Sequence, residues 1–172
     1  MNSDQSERYS RQIKLPQLGE SGQKRLLDAR VLIIGMGGLG SPVSMYLAAA
    51  GVGHLVISDY DRVDESNLQR QIVHTQASIN ELKTTSARDT LLRLNPAISI
   101  DALGYELDDE ELSEQVAQAD VVVDCTDNFP SRFELNRVSL ATGRPVVSGA
   151  AIRWEGQVST FIPKNPDLSL IH

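Results

Sequence analysis

Residues 35–40 read Gly-Met-Gly-Gly-Leu-Gly, and Ser41 and Pro42 follow at once. The glycines Gly35, Gly37, Gly38 and Gly40 have the spacing that lets a chain turn tightly and bring its N–H groups close to an anion. Serine and proline just beyond them mark the start of a helix, whose N-terminal dipole favours negative charge. The chemistry this segment suits is phosphate binding. Asp59 ends the next apolar run, where a carboxylate can accept hydrogen bonds from ribose hydroxyls. Beyond it, the stretch from Asn67 to Lys83 carries cations, and a few local cations are enough for three phosphates. The glycine turn and its acid describe a nucleotide site. Its competitor is a glycine turn serving only close helix–strand packing.

The elements that must position these residues follow from the apolar pattern. Short β-branched runs at 31–34, 54–58, 98–103, 121–124 and 146–148 predict buried parallel strands. Helices are expected over 43–50, 81–94, 108–118 and 130–142, several stopped by Gly or Asn-Pro. Strand and helix alternate, so the expected fold is α/β: a Rossmann-like open, mainly parallel sheet with helices on both faces. Residues 156–162 alternate as an exposed antiparallel strand would. Residues 1–28 are expected as an N-terminal helical extension, 29–172 as the Rossmann-like domain, and 164–172 as a stretch with no element of its own. The segment 60–80 is too long for an idle connection and reads as a functional loop.

Composition bounds the rest. The 172 residues suffice for one core, and 41% hydrophobic with 23% charged residues is ordinary for a soluble globular chain. A net charge of −7 tells against non-specific nucleic-acid binding. Within that acidic balance the loop and its exit still concentrate Arg70, His74 and Lys83. No apolar stretch is long enough to span a membrane, and Met1 to Glu7 lacks a secretion signal's apolar core. A single cysteine, Cys125, points to a reducing cytoplasm. It ends an apolar strand and reads as a small buried hydrophobe rather than a nucleophile. His54, His74 and His172 are too scattered to predict a metal site.

A nicotinamide dehydrogenase is the ordinary alternative for such a glycine turn. The additional Gly38 and the long basic loop tell against it.

The string Ser66-Asn67-Leu68-Gln69-Arg70-Gln71, downstream of the glycine turn and Asp59, resembles the ubiquitin-activating (E1-like) superfamily. More narrowly it is similar to the bacterial sulfur-carrier adenylyltransferases, the HesA/MoeB/ThiF family. The likeness runs from Arg8-Tyr9-Ser10-Arg11-Gln12-Ile13 through Asp124-Cys125-Thr126-Asp127-Asn128 to 149–157, where it is nearer to the molybdopterin-synthase adenylyltransferases than to the thiamine ones. The resemblance implies that ATP and Mg²⁺ activate the C-terminal glycine of a ubiquitin-like sulfur-carrier protein as an acyl-adenylate. It implies nucleotide contacts from Gly38, Asp59, Ser66 to Arg70, Lys83, Asp127 and Asn128. Those types suit the chemistry: Arg70 can fork onto two phosphate oxygens, Lys83 supplies a compact charge, and Asp127 offers the hard oxygen that Mg²⁺ takes alongside phosphates and water. Arg11 is implied to reach into the other subunit of a homodimer. The family pattern has a glycine or proline nearer the lysine than Asn80-Glu81-Leu82-Lys83 provides. Family members usually continue into two Cys-x-x-Cys pairs that hold structural zinc. Those ligands are not in this sequence, so a truncated form is expected, with a silent binding or dimerisation module as the alternative to an active enzyme.

Overall fold

The computed structural model describes residues 1–163; residues 164–172 and the expectation made for them lie outside it. Six strands form one sheet: β1 (Arg30–Ile34), β2 (His54–Ser58), β3 (Ser99–Leu103), β4 (Val121–Asp124), β5 (Val146–Ile152) and β6 (Glu155–Phe161). Their spatial order is β3-β2-β1-β4-β5-β6. The first five pair in parallel, and β6 runs antiparallel to β5. This is the doubly wound Rossmann-like arrangement, with a change of direction between β1 and β4.

The period of two in each strand divides the core. Val31, Ile33, Leu55, Ile57 and Val123 enter one cluster, with Ala48 of α4 (Gly40–Ala50) and Ala87 and Leu91 of α5 (Lys83–Leu94). Leu32, Val56, Val122 and Val146 face the other way, onto Val116 of α6 (Asp109–Gln118) and Leu135 and Val138 of α7 (Phe129–Thr142). With both faces covered, these strands carry unbroken apolar runs, as a parallel sheet requires.

Element boundaries differ from the sequence reading where tertiary contacts intervene. Helix α4 begins at Gly40 rather than Val43, so Pro42 lies within the first turn, where a missing N–H costs no intrahelical bond. Helix α5 begins at Lys83 rather than Glu81. Leu82 pairs with Arg62 in an isolated antiparallel bridge and is extended, and the Glu81 carbonyl accepts the Val63 N–H, which keeps these two residues out of the helix. Strand β5 continues to Ile152 instead of stopping at Ser148. Its parallel partner β4 ends there, but β6 pairs with it throughout.

Three short helices precede β1: α1 (Ser3–Arg8), α2 (Ser10–Ile13) and α3 (Gly19–Asp28). Tyr9 is fully buried, accepts a hydrogen bond at its hydroxyl from Asn95 Nδ2 at 2.9 Å, and lies against Gly51, where a Cβ would meet its ring at 2.5 Å. Gln12 and Gln23 both donate to the Ala50 carbonyl. The N-terminal segment thus closes the C-terminal end of α4. Among the described residues no helix is long and apolar enough to cross a membrane. Because the Tyr9 ring is packed on all sides, Tyr9→Ala is expected to cost about 3–5 kcal/mol in urea unfolding, whereas a detached N-terminal segment would leave the midpoint unmoved.

Candidate active site

The glycine turn leaves β1 at the point where the sheet changes direction. Gly35 adopts φ +93, and a Cβ there would sit 2.8 Å from the Cys125 carbonyl oxygen at the end of β4. Gly40 is tighter still, since its Cβ would lie 1.9 Å from the Gly35 oxygen. The backbone therefore folds onto itself and onto the β4 loop without side chains. The amides of Gly37, Gly38, Leu39 and Gly40 make no hydrogen bond among the described residues, and Gly37, Gly38 and Leu39 are only half-buried. Consecutive unpaired N–H groups at the start of a helix form a receptor for anionic oxygen.

Met36, within this turn, is held from two sides. Asp59 Oδ2 accepts its N–H at 2.7 Å, and His74 Nε2 lies 3.1 Å from its carbonyl oxygen. Asp59 Oδ1 accepts the Asp61 N–H at 2.9 Å. The carboxylate that follows β2 thus shapes the turn.

Lys83 opens α5, nearly buried, with its Nζ 2.8 Å from Asp61 Oδ2 and 3.9 Å from Asp59 Oδ2. The expected phosphate cation is therefore braced between two carboxylates, one of them (Asp61) unremarked in the sequence. Arg70 is exposed; its methylenes lie over Gly38, 3.5 Å from where a Cβ would be, and its guanidinium donates to the Ser66 carbonyl at 3.4 Å. The string 66–70 is a tight turn: Asp64 accepts the Ser66 N–H, and the Asn67 carbonyl accepts from the amides of Arg70 and Gln71. Leu68 is half-buried and Gln69 exposed in that turn.

At the end of β4 the structure separates two acids. Asp124 is fully buried, and its oxygens accept from the Thr126 N–H, the Thr126 hydroxyl and the Ser148 hydroxyl. Asp127 is exposed and makes no hydrogen bond among the described residues, which leaves its oxygens for a ligand. Helix α7 is capped by Asn128, whose side chain accepts the Ser131 N–H at 3.0 Å. Arg132 ties this loop to β5 by donating to the Thr126 and Gly149 carbonyls.

Arg11 is exposed on α2, which packs at the C-terminal end of α4. The glycine turn lies at the other end of that 11-residue helix, about 16 Å away. Arg11 is not brought together with the other site residues of its own chain.

Two expectations need correction or gain detail. His74 is not part of the local positive charge. It is buried, and desolvation, chiefly, lowers its pKa below 6.5, with the Lys83 charge acting in the same direction. Since a carbonyl can only accept, Nε2 carries the proton to Met36 and neutral Nδ1 accepts from the Ser86 hydroxyl at 3.0 Å. The Cys125 thiol is held protonated: burial, with the neighbouring Asp124 carboxylate adding, pushes it up to about 12, which disfavours the thiolate a nucleophile needs. The roles missed in the sequence are those of Asp61, Gln71, His74, Asp124 and Arg132. Asp61, His74 and Arg132 act through contacts between separated segments, whereas Gln71, adjoining Arg70, and Asp124 stood within motifs. The buried Oε1 of Gln71 has no partner among the described residues.

The sequence matches the ThiF family over residues 9–169. The chain belongs to the ThiF family. It is 51% identical over 154 residues to the molybdopterin-synthase adenylyltransferase of Escherichia coli K12, covering 90% of this chain and 62% of that protein. It is 47% identical to the sulfur carrier protein ThiS adenylyltransferase of the same organism, covering 95% of this chain and 65% of that one. A crystal structure of E. coli MccB with ATP superposes at a TM-score of 0.71 with 28% identity, covering 76% of this chain and 39% of the other. The chain thus spans less than two thirds of the length of these relatives. Family membership sets aside the nicotinamide alternative.

The titration of His74 has a definite sign. With its folded pKa lowered, the unfolded chain takes up the proton first as pH falls, so stability present above about 6.5 is lost below it. Wild-type stability is expected to fall from pH 7 to 5, and His74→Gln to flatten that slope by at most about 1.4 kcal/mol per pH unit. Parallel urea-unfolding curves for both proteins across this range would refute the assignment.

Proposed function

We propose that this chain binds Mg·ATP at the glycine turn and adenylates the C-terminal glycine carboxylate of a small ubiquitin-like sulfur-carrier protein. The observation that carries the reading is the run of unpaired amides from Gly37 to Gly40 beneath the Arg70 side chain. It lies beside a β4 loop that presents the free carboxylate of Asp127. The names of the two adenylyltransferase relatives, and of a structural neighbour crystallised with ATP, point the same way.

In this reaction a carboxylate oxygen of the carrier attacks the α-phosphorus. The bond from that phosphorus to the bridging oxygen breaks, and pyrophosphate leaves with the electron pair. The carboxylate is already ionised at neutral pH, so no general base is needed. What the site must supply is stabilisation of charge on the phosphate oxygens. The turn amides, Arg70 and Lys83 are the groups for it, with Lys83 exchanging part of its contact with Asp61 for phosphate. Ser66 to Gln69 form the turn that carries Arg70, and Asp59 stands where the ribose would lie. Asp127, next to Asn128, is the ligand that would hold Mg²⁺, whose role is to neutralise phosphate charge. Arg11 would act in the site of a second copy of the chain, which accords with its exposure and its distance from its own glycine turn. A reducing cytoplasm suits the one half-buried, free cysteine.

Arg70→Ala and Asp127→Ala are each expected to reduce carrier-dependent pyrophosphate exchange by about 100-fold or more, with unchanged circular dichroism. Full exchange in both variants would refute the site.

A further inference from the structure

Taking the nucleotide reading as its basis, we infer that His74 is a positioning residue: its hydrogen bond to the Met36 carbonyl aims the Gly37 N–H into the phosphate site. Met36 is fully buried, and among the described residues its carbonyl oxygen accepts only from His74 Nε2, at 3.1 Å. The peptide between Met36 and Gly37 is planar and trans, so its C=O and N–H point in opposite directions. A carbonyl drawn toward His74 therefore turns the Gly37 N–H away from it, on the half-buried side of the turn, where that N–H has no partner.

The preceding peptide is fixed too, because Asp59 Oδ2 accepts the Met36 N–H at 2.7 Å. With both planes held, the two backbone dihedrals of Met36 have little freedom. Gly37 and Gly38 follow, residues that on their own lose more conformational freedom on ordering than any other type. The ring itself is oriented by Ser86 on α5, 3.0 Å from Nδ1. Ser86 lies one helical turn from Lys83, so one helix places both the phosphate cation and, through His74, the phosphate-binding backbone. The groups around the ring are the Asp59 carboxylate and the Lys83 ammonium, which oppose each other in sign.

The test uses the whole chain and two ligands, Mg·ATP and adenosine, in calorimetric titrations. Glutamine can place an amide donor where His74 Nε2 stands; asparagine reaches only as far as Nδ1. One lost hydrogen bond is worth about tenfold in binding. His74→Asn is accordingly expected to weaken Mg·ATP about tenfold, with adenosine within twofold of wild type and His74→Gln restoring ATP to within about threefold. Equal ATP affinity for the two variants, or a loss shared by adenosine, would overturn the inference. Should the His74 variants fail to fold, Ser86→Ala frees the ring without removing it. A loss of about threefold for Mg·ATP alone supports the inference, and no loss overturns it. A wild-type chain that bound no Mg·ATP would instead bring down the nucleotide reading itself.

Discussion

A stretch of backbone whose successive N–H groups have no internal acceptor is unstable unless something holds it open. That constraint organises this molecule. The Gly35–Gly40 turn can lie where it does because Gly35 and Gly40 carry no Cβ to strike the Cys125 and Gly35 carbonyls. It keeps its shape because Met36 is bonded at both ends of its backbone, to Asp59 just past β2 and to His74 from the following loop. The long segment between β2 and α5 is in turn anchored by Val63 and Val73, both buried, and by the Arg62–Leu82 bridge at its base. The loop is thus part of the core that supports the turn.

Electrostatics follow the same economy. The chain is acidic as a whole, with 16 basic residues against 23 acidic ones, yet two cations, Arg70 and Lys83, flank the glycine turn. Lys83 is kept nearly buried by the two carboxylates beside it, and Arg70 stays exposed over Gly38. A buried ammonium with no counter-charge would be costly, so Asp59 and Asp61 make it possible to place the cation there.

Much of this was readable in advance. Apolar runs of β-branched residues gave all five parallel strands, and the glycine spacing with Asp59 located the turn and its acid. What could not be read were consequences of pairing between distant segments. Helix α5 loses its first two expected residues to the bridge with Arg62, and β5 gains four from β6. His74 looked like one more positive charge in a basic loop; only its burial against Met36 and Ser86 shows it to be neutral and structural to the turn. Asp127 and Asp124, three residues apart, have similar surroundings in sequence. The pleat and the Ser148 hydroxyl bury one and leave the other open to a ligand.

The central claim is that the backbone amides at the head of α4 receive a triphosphate. A crystal structure of this chain with Mg²⁺ and a non-hydrolysable ATP analogue tests it most directly. Phosphate oxygens are predicted about 3 Å from the Gly37 and Gly38 nitrogens, with the Arg70 guanidinium turned onto them. A nucleotide bound with its phosphates away from that turn would contradict the account.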